Sequence, residues 1–128
     1  DILDRINFPV DLRARANLTW GRGSWNASVF GNYVDGYRND TPPNVAGVPL
    51  PQSDVPSWTT WDISIGYSVP EGAGALFEGL RAIVNVQNVL DRDPPTVLTA
   101  SGGGAVAMDA RNHNPFGRIY QFSLTKRF

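Results

Sequence analysis

The chain has 128 residues, a formal net charge of -1 and no cysteine. These facts exclude a global basic field for nucleic acid, a disulfide scaffold, and thiolate metal or nucleophile chemistry. No apolar run approaches the ~18 residues of a membrane-spanning helix, and thirteen Gly, ten Pro, four Trp and four Tyr beside a single Met favour strands, turns and long loops.

The first strand is predicted from about Val10 to Trp20. Val10, Leu12, Ala14, Ala16, Leu18 and Trp20 share one face; Asp11, Arg13, Arg15, Asn17 and Thr19 share the other, because successive strand side chains point to opposite sides. Its unbroken period suits the ~9–11 residues with which a tilted strand crosses a bilayer. Gly21-Arg22-Gly23-Ser24 reads as a tight turn flanked by Trp20 and Trp25. A second strand runs from about Trp25 to Tyr37, with Trp25, Ala27, Val29 and Tyr33 outward, Asn26, Ser28 and Asn32 inward, and Phe30 and Val34 out of pattern. Asn39 to Pro56 carries five prolines and is expected to be a long loop, since each Pro lacks a ladder donor.

The third strand spans roughly Thr59 to Val69, alternating Trp61, Ile63, Ile65, Tyr67 and Val69 with Asp62, Ser64, Gly66 and Ser68. A glycine-rich connection from Pro70 to Gly79 leads to a fourth strand, roughly Leu80 to Val89, with Ile83 as the misfit on its polar face. Asp91 to Gly117 is the second long loop, and its Ser101-Gly102-Gly103-Gly104 run is expected to be mobile. The fifth strand closes the chain: Tyr120, Phe122 and Leu124 face one way, Gln121, Ser123 and Thr125 the other, and Phe128 ends it. The fold class is therefore all-β, an antiparallel meander of about five strands. An aromatic face opposite a small polar face is what lipid on one side and water on the other require.

The closing strand resembles the C-terminal insertion signal of bacterial outer-membrane β-barrels. Val84-Asn85-Val86-Gln87-Asn88-Val89-Leu90-Asp91-Arg92-Asp93-Pro94-Pro95 resembles the N-V-x-N-L-F-D pattern near the end of TonB-dependent outer-membrane receptors, with Leu90 where Phe is more usual. The first hairpin and the Ser28–Tyr37 run are also similar to that family. The resemblance covers nearly the whole chain, residues 1–128. It implies a C-terminal portion of a transmembrane barrel of about 22 strands, the plug domain lying outside it. The expected parent imports a scarce nutrient, such as a siderophore, a corrinoid or an oligosaccharide, across the bacterial outer membrane. The implied partners are outer-membrane lipid, the remaining barrel and plug, the TonB complex through the parent, and the barrel-assembly machinery through the last strand.

On this reading Trp20, Trp25, Trp61, Tyr67, Tyr120, Phe122 and Phe128 form membrane-interface girdles. Tyr37, Arg38 and Trp58 border the first long loop and are the candidate ligand-binding residues. Arg13, Arg15 and Arg81 are expected to face the lumen, towards the plug, an anionic ligand or water. No catalytic, metal or cofactor site is expected: His113 stands between Asn112 and Asn114 and reads as a polar loop residue, Asp91 as a turn former, Asp93 as a solvated residue before proline, and Asp54 and Asp109 as loop carboxylates. Exposing the outward apolar side chains to water would cost on the order of 30 kcal/mol, more than the ~5–15 kcal/mol of a folded domain; the isolated chain is therefore expected to pair its strand edges or oligomerise. A soluble carbohydrate-binding β-sandwich, with Trp58 and Tyr37 as its stacking platform, is the alternative.

Overall fold

The computed structural model describes residues 4, 5, 8–39, 44, 45, 48, 49, 54–74, 76–97, 99–101, 104–106 and 108–127. Their strands are β1 (Arg13–Arg22), β2 (Trp25–Val34), β3 (Tyr37–Arg38), β4 (Asn44–Val45), β5 (Val48–Pro49), β6 (Asp54–Val55), β7 (Trp58–Ser68), β8 (Leu80–Gln87), β9 (Thr99–Ser101), β10 (Gly104–Val106) and β11 (Ile119–Lys126). Among the described residues there is no helix. The five long strands form one sheet in the order β1-β2-β7-β8-β11, an all-β architecture built as a meander of sequential neighbours.

The chain divides into two compact units. One comprises Arg15–Gly31, Thr60–Arg92 and Gly117–Phe128, and holds most of the sheet. Its hairpin between β1 and β2 closes through Gly23 and Ser24, with Gly23 at φ 58°. That suits the first central position of a type II′ turn, where a side chain would strain the backbone. Alternation then sets the register. Ile63 pairs with Val86 and Val86 with Tyr120; Ile65 pairs with Val84 and Val84 with Phe122; Tyr67 pairs with Ala82 and Ala82 with Leu124. These rungs make one continuous apolar face. The opposite face carries Ser64, Asn85 and Gln121, then Gly66, Ile83 and Ser123, then Ser68, Arg81 and Thr125. A slip of one residue would exchange the two faces, so this pattern fixes the pairing.

Contacts across the strands account for Phe30, which is out of pattern. Phe30 lies under the Arg15 guanidinium, 4.9 Å from ring centroid to Cζ, so its ring serves a cation on the polar face. Thr19 and Ser28 share a hydroxyl hydrogen bond of 3.1 Å on that same face. Gly31 has no side chain because the Trp61 indole lies over it; a Cβ there would come within 2.9 Å of the ring.

The other unit comprises Asp1–Ala14, Asn32–Thr59 and Asp93–Phe116. It contains the buried apolar cluster of Val10, Val34, Tyr37, Val55, Trp58 and Val97. Three short ribbons occur, β3 with β6, β4 with β5, and β9 with β10; all of their strands but β3 lie in regions predicted as loops, and β3 falls at the predicted end of the second strand. The second strand accordingly ends at Val34, and Tyr37 opens a new segment after Gly36. Ser101 and Gly104, expected to be mobile, are paired ends of the β9–β10 ribbon, while Gly102 and Gly103 lie outside the described residues.

Candidate functional site

The apolar face of the sheet is open. Leu18 is 75% exposed, Tyr120 68% and Phe122 67%; Trp20, Trp25, Trp61, Ile65, Val84 and Leu124 are also exposed. The expected girdle residues fall at distinct heights. Trp20 and Trp25 flank the β1–β2 turn, and Trp25 packs on Tyr67 with ring centroids 4.6 Å apart. Trp61 lies towards the opposite end of β7, about 20 Å from Tyr67 at ~3.3 Å per residue. Tyr120 is near the start of β11, opposite Val86. Phe122 lies opposite Val84 and Ile65, at mid-sheet rather than at an end. Phe128 lies outside the described residues.

The segment after β8 is a built corner. Asn88 has φ 49° and Asp91 φ 53°, a left-handed conformation that Asn and Asp adopt more readily than other side chains. The Asn88 side chain exchanges hydrogen bonds with the Arg92 backbone: Nδ2 donates to Arg92 O and Arg92 N donates to Oδ1, both at 3.0 Å. Asn88 N in turn donates to Asp62 Oδ1 at 2.9 Å. Asp91 Oδ1 accepts from Arg118 N at 2.7 Å, so the corner holds the start of the last strand. The strand expected to reach Val89 thus stops at Gln87 because Asn88 turns the chain.

The second unit gathers residues that composition alone did not single out. His113, expected to be a polar loop residue, lies outside the strands and is only 4% exposed. Tyr37 stacks on its ring at 5.7 Å, and Trp58 meets it edge-on at 5.4 Å. Tyr37 and Trp58, the candidate ligand-stacking residues, are therefore brought together, but they are buried against His113. Arg38 is exposed and pairs with Asp54 in the β3–β6 ribbon.

Asp109, expected to be a loop carboxylate, is also buried. It accepts from Arg111 N at 3.0 Å and from Asn112 Nδ2 at 2.9 Å. The same Asn112 amide donates to Phe8 O at 2.9 Å. Arg13 Nη2 donates to Asn112 Oδ1 at 2.5 Å and to Arg111 O at 3.1 Å. Burial, reinforced by the Asp109 charge and hydrogen bond, pushes the Tyr37 phenol well above its ordinary value. Burial lowers the His113 imidazole, Asp109 opposes that shift and Arg13 adds to it. The imidazole is therefore neutral near pH 7. Its Nδ1 lies 3.5 Å from Tyr37 Oη, while His113 Nε2 and Trp58 Nε1 are buried without a partner among the described residues.

Shallow clefts lined by described residues open in this unit. One, about 250 Å³, is lined by Phe8, Pro9, Arg13, Arg111 and Asn112. Another, about 310 Å³, is lined by Asp4, Gly36, Tyr37, Arg38, Asp54 and Val55. No cluster of three or more metal-ligating side chains occurs among the described residues. Comparison with family models, with curated proteins and with solved structures finds no match for the chain.

Proposed function

We propose that this chain forms wall strands and outer loops of an outer-membrane β-barrel of the TonB-dependent receptor kind, whose parent imports a scarce nutrient. One observation carries the reading: the register-aligned rungs of Ile63, Ile65, Tyr67, Val84, Val86, Tyr120, Phe122 and Leu124 leave an apolar face largely open, with polar rungs behind it. Hydrocarbon satisfies such a face and water does not. Aromatic rings towards both ends of the sheet, spaced on the order of a bilayer's ~25 Å apolar band, support the same placement. The outer edges of β1 and β11 complete the picture, since a sheet at barrel height must pair its edges with further strands. In the parent, the partners are lipid, the remaining strands, a plug, the TonB complex and, for β11, the assembly machinery.

The sandwich alternative requires open ring faces on Tyr37 and Trp58, and the burial of both against His113 weighs against it. The test is co-flotation. The chain is refolded with phosphatidylcholine vesicles and washed in carbonate before centrifugation through a density gradient. The expected result is a carbonate-resistant fraction that floats with the vesicles and is released by detergent. Quantitative release by carbonate, with a monodisperse protomer in detergent-free buffer, would contradict the proposal.

A further inference from the structure

We infer that the cleft lined by Phe8, Pro9, Arg13, Arg111 and Asn112 is a binding site for a small ligand bearing a carboxylate on a flat apolar body. Arg13 carries the argument. Its Nη2 is held by two neutral acceptors, Arg111 O and Asn112 Oδ1. Its Nη1 and Nε have no acceptor among the described residues, and no carboxylate of the described residues lies within ion-pair reach. A guanidinium fixed through one nitrogen and open at the others presents the planar fork that takes a carboxylate with two parallel hydrogen bonds.

The support behind Arg13 is built rather than incidental. Asn112 is 5% exposed, and its amide is locked by Asp109 Oδ2 and Phe8 O. That leaves Asn112 Oδ1 turned to Arg13, so the orientation of the guanidinium is set by a buried group and not by solvent. Asp109 balances the local charge from behind Asn112 but does not line the cleft. The cleft wall itself combines two cationic side chains with the apolar surfaces of Phe8, 42% exposed, and Pro9. A cationic fork beside an exposed ring selects an anion that also has a face to stack, over a compact hydrated anion. Every residue involved belongs to the same unit of the chain, Arg13 being the first residue of β1.

The test is calorimetric titration of the full chain in detergent micelles with benzoate, with benzamide as its neutral counterpart and inorganic phosphate as the compact anion. Benzoate should saturate one site, with benzamide and phosphate at least tenfold weaker. Arg13→Gln should weaken benzoate at least tenfold and leave benzamide unchanged, and Arg13→Lys should recover only part, since an ammonium cannot fork. Near-ultraviolet circular dichroism of Tyr37 and Trp58 checks that each variant keeps its packing. Should Arg13→Gln lose that signal, Phe8→Ala decides: it should weaken benzoate and leave acetate unchanged. Equal binding of benzoate and benzamide, binding of phosphate as tight as benzoate, no saturable benzoate binding, or full affinity in a folded Arg13→Gln would each overturn the inference. So would a Phe8→Ala variant that binds benzoate as the parent chain does.

Discussion

A neutral imidazole is the form of His113 that its surroundings favour: two aromatic rings cover it, and burial, which opposes proton uptake, outweighs the nearby Asp109 charge, with Arg13 adding to the opposition. The sign of the pH effect follows. The unfolded chain takes up a proton near the ordinary histidine value of ~6.5, whereas the folded chain does so only at lower pH. The stabilisation linked to His113 is therefore complete above ~6.5 and is lost as pH falls from there towards the folded-state value. Urea midpoints in detergent should decline between pH 7.5 and 5.5, and His113→Phe, which keeps a ring in place, should flatten that decline. Parallel slopes for the two proteins would rule out this role for His113. The residue's burial was hard to read in the sequence because its flanking Asn112 and Asn114 suggest only a polar loop. What buries it is Tyr37 and Trp58, brought there from far along the chain, and no local pattern encodes that meeting.

Elements show the opposite behaviour. The long strands were legible because alternation is a local property, and the outward residues named for β7, β8 and β11 lie on one face wherever their registers pair, whereas Val10, named with the first strand, lies before β1 in the buried cluster. Their ends were less legible. β8 stops where Asn88 enters the left-handed region, a choice made by the reciprocal Asn88–Arg92 hydrogen bonds and not by hydropathy. Asn88→Ala removes both bonds and places a less tolerant residue at φ 49°, so a loss of about 2–3 kcal/mol in unfolding free energy is expected from denaturant titration. The face assignment has its own test in β11, where neighbouring residues point oppositely. Phe122→Arg should weaken vesicle insertion by roughly 2–4 kcal/mol, as a cation at mid-bilayer does. Ser123→Arg, on the polar face beside Ile83, should change it by less than about 1 kcal/mol. Equal effects would mean that lipid does not distinguish the two sides.

At the scale of the whole molecule, the apolar side chains of the described residues divide between a small buried cluster and an exposed sheet face. Among the described residues, the buried apolar cluster consists of Val10, Val34, Tyr37, Val55, Trp58 and Val97, all in the loop-bearing unit. The larger collection of rings and branched chains lies uncovered on the sheet. On the proposed function, that exposed face is the one that meets lipid. The Arg13–Asn112 contact and the β3–β6 pairing were not legible in advance, because their partners are separated by long stretches of chain, whereas the β4–β5 and β9–β10 ribbons are local but too short for alternation to reveal. Depth-dependent fluorescence quenching in vesicles of brominated lipid tests the central claim most directly. In chains retaining one indole at a time, Trp20 and Trp25 should be quenched most by bromines near the headgroups, and an indole placed by Phe122→Trp most by bromines near the bilayer centre. Emission from all of these positions that ignores bromine at every depth would mean that the open face of this sheet does not meet hydrocarbon.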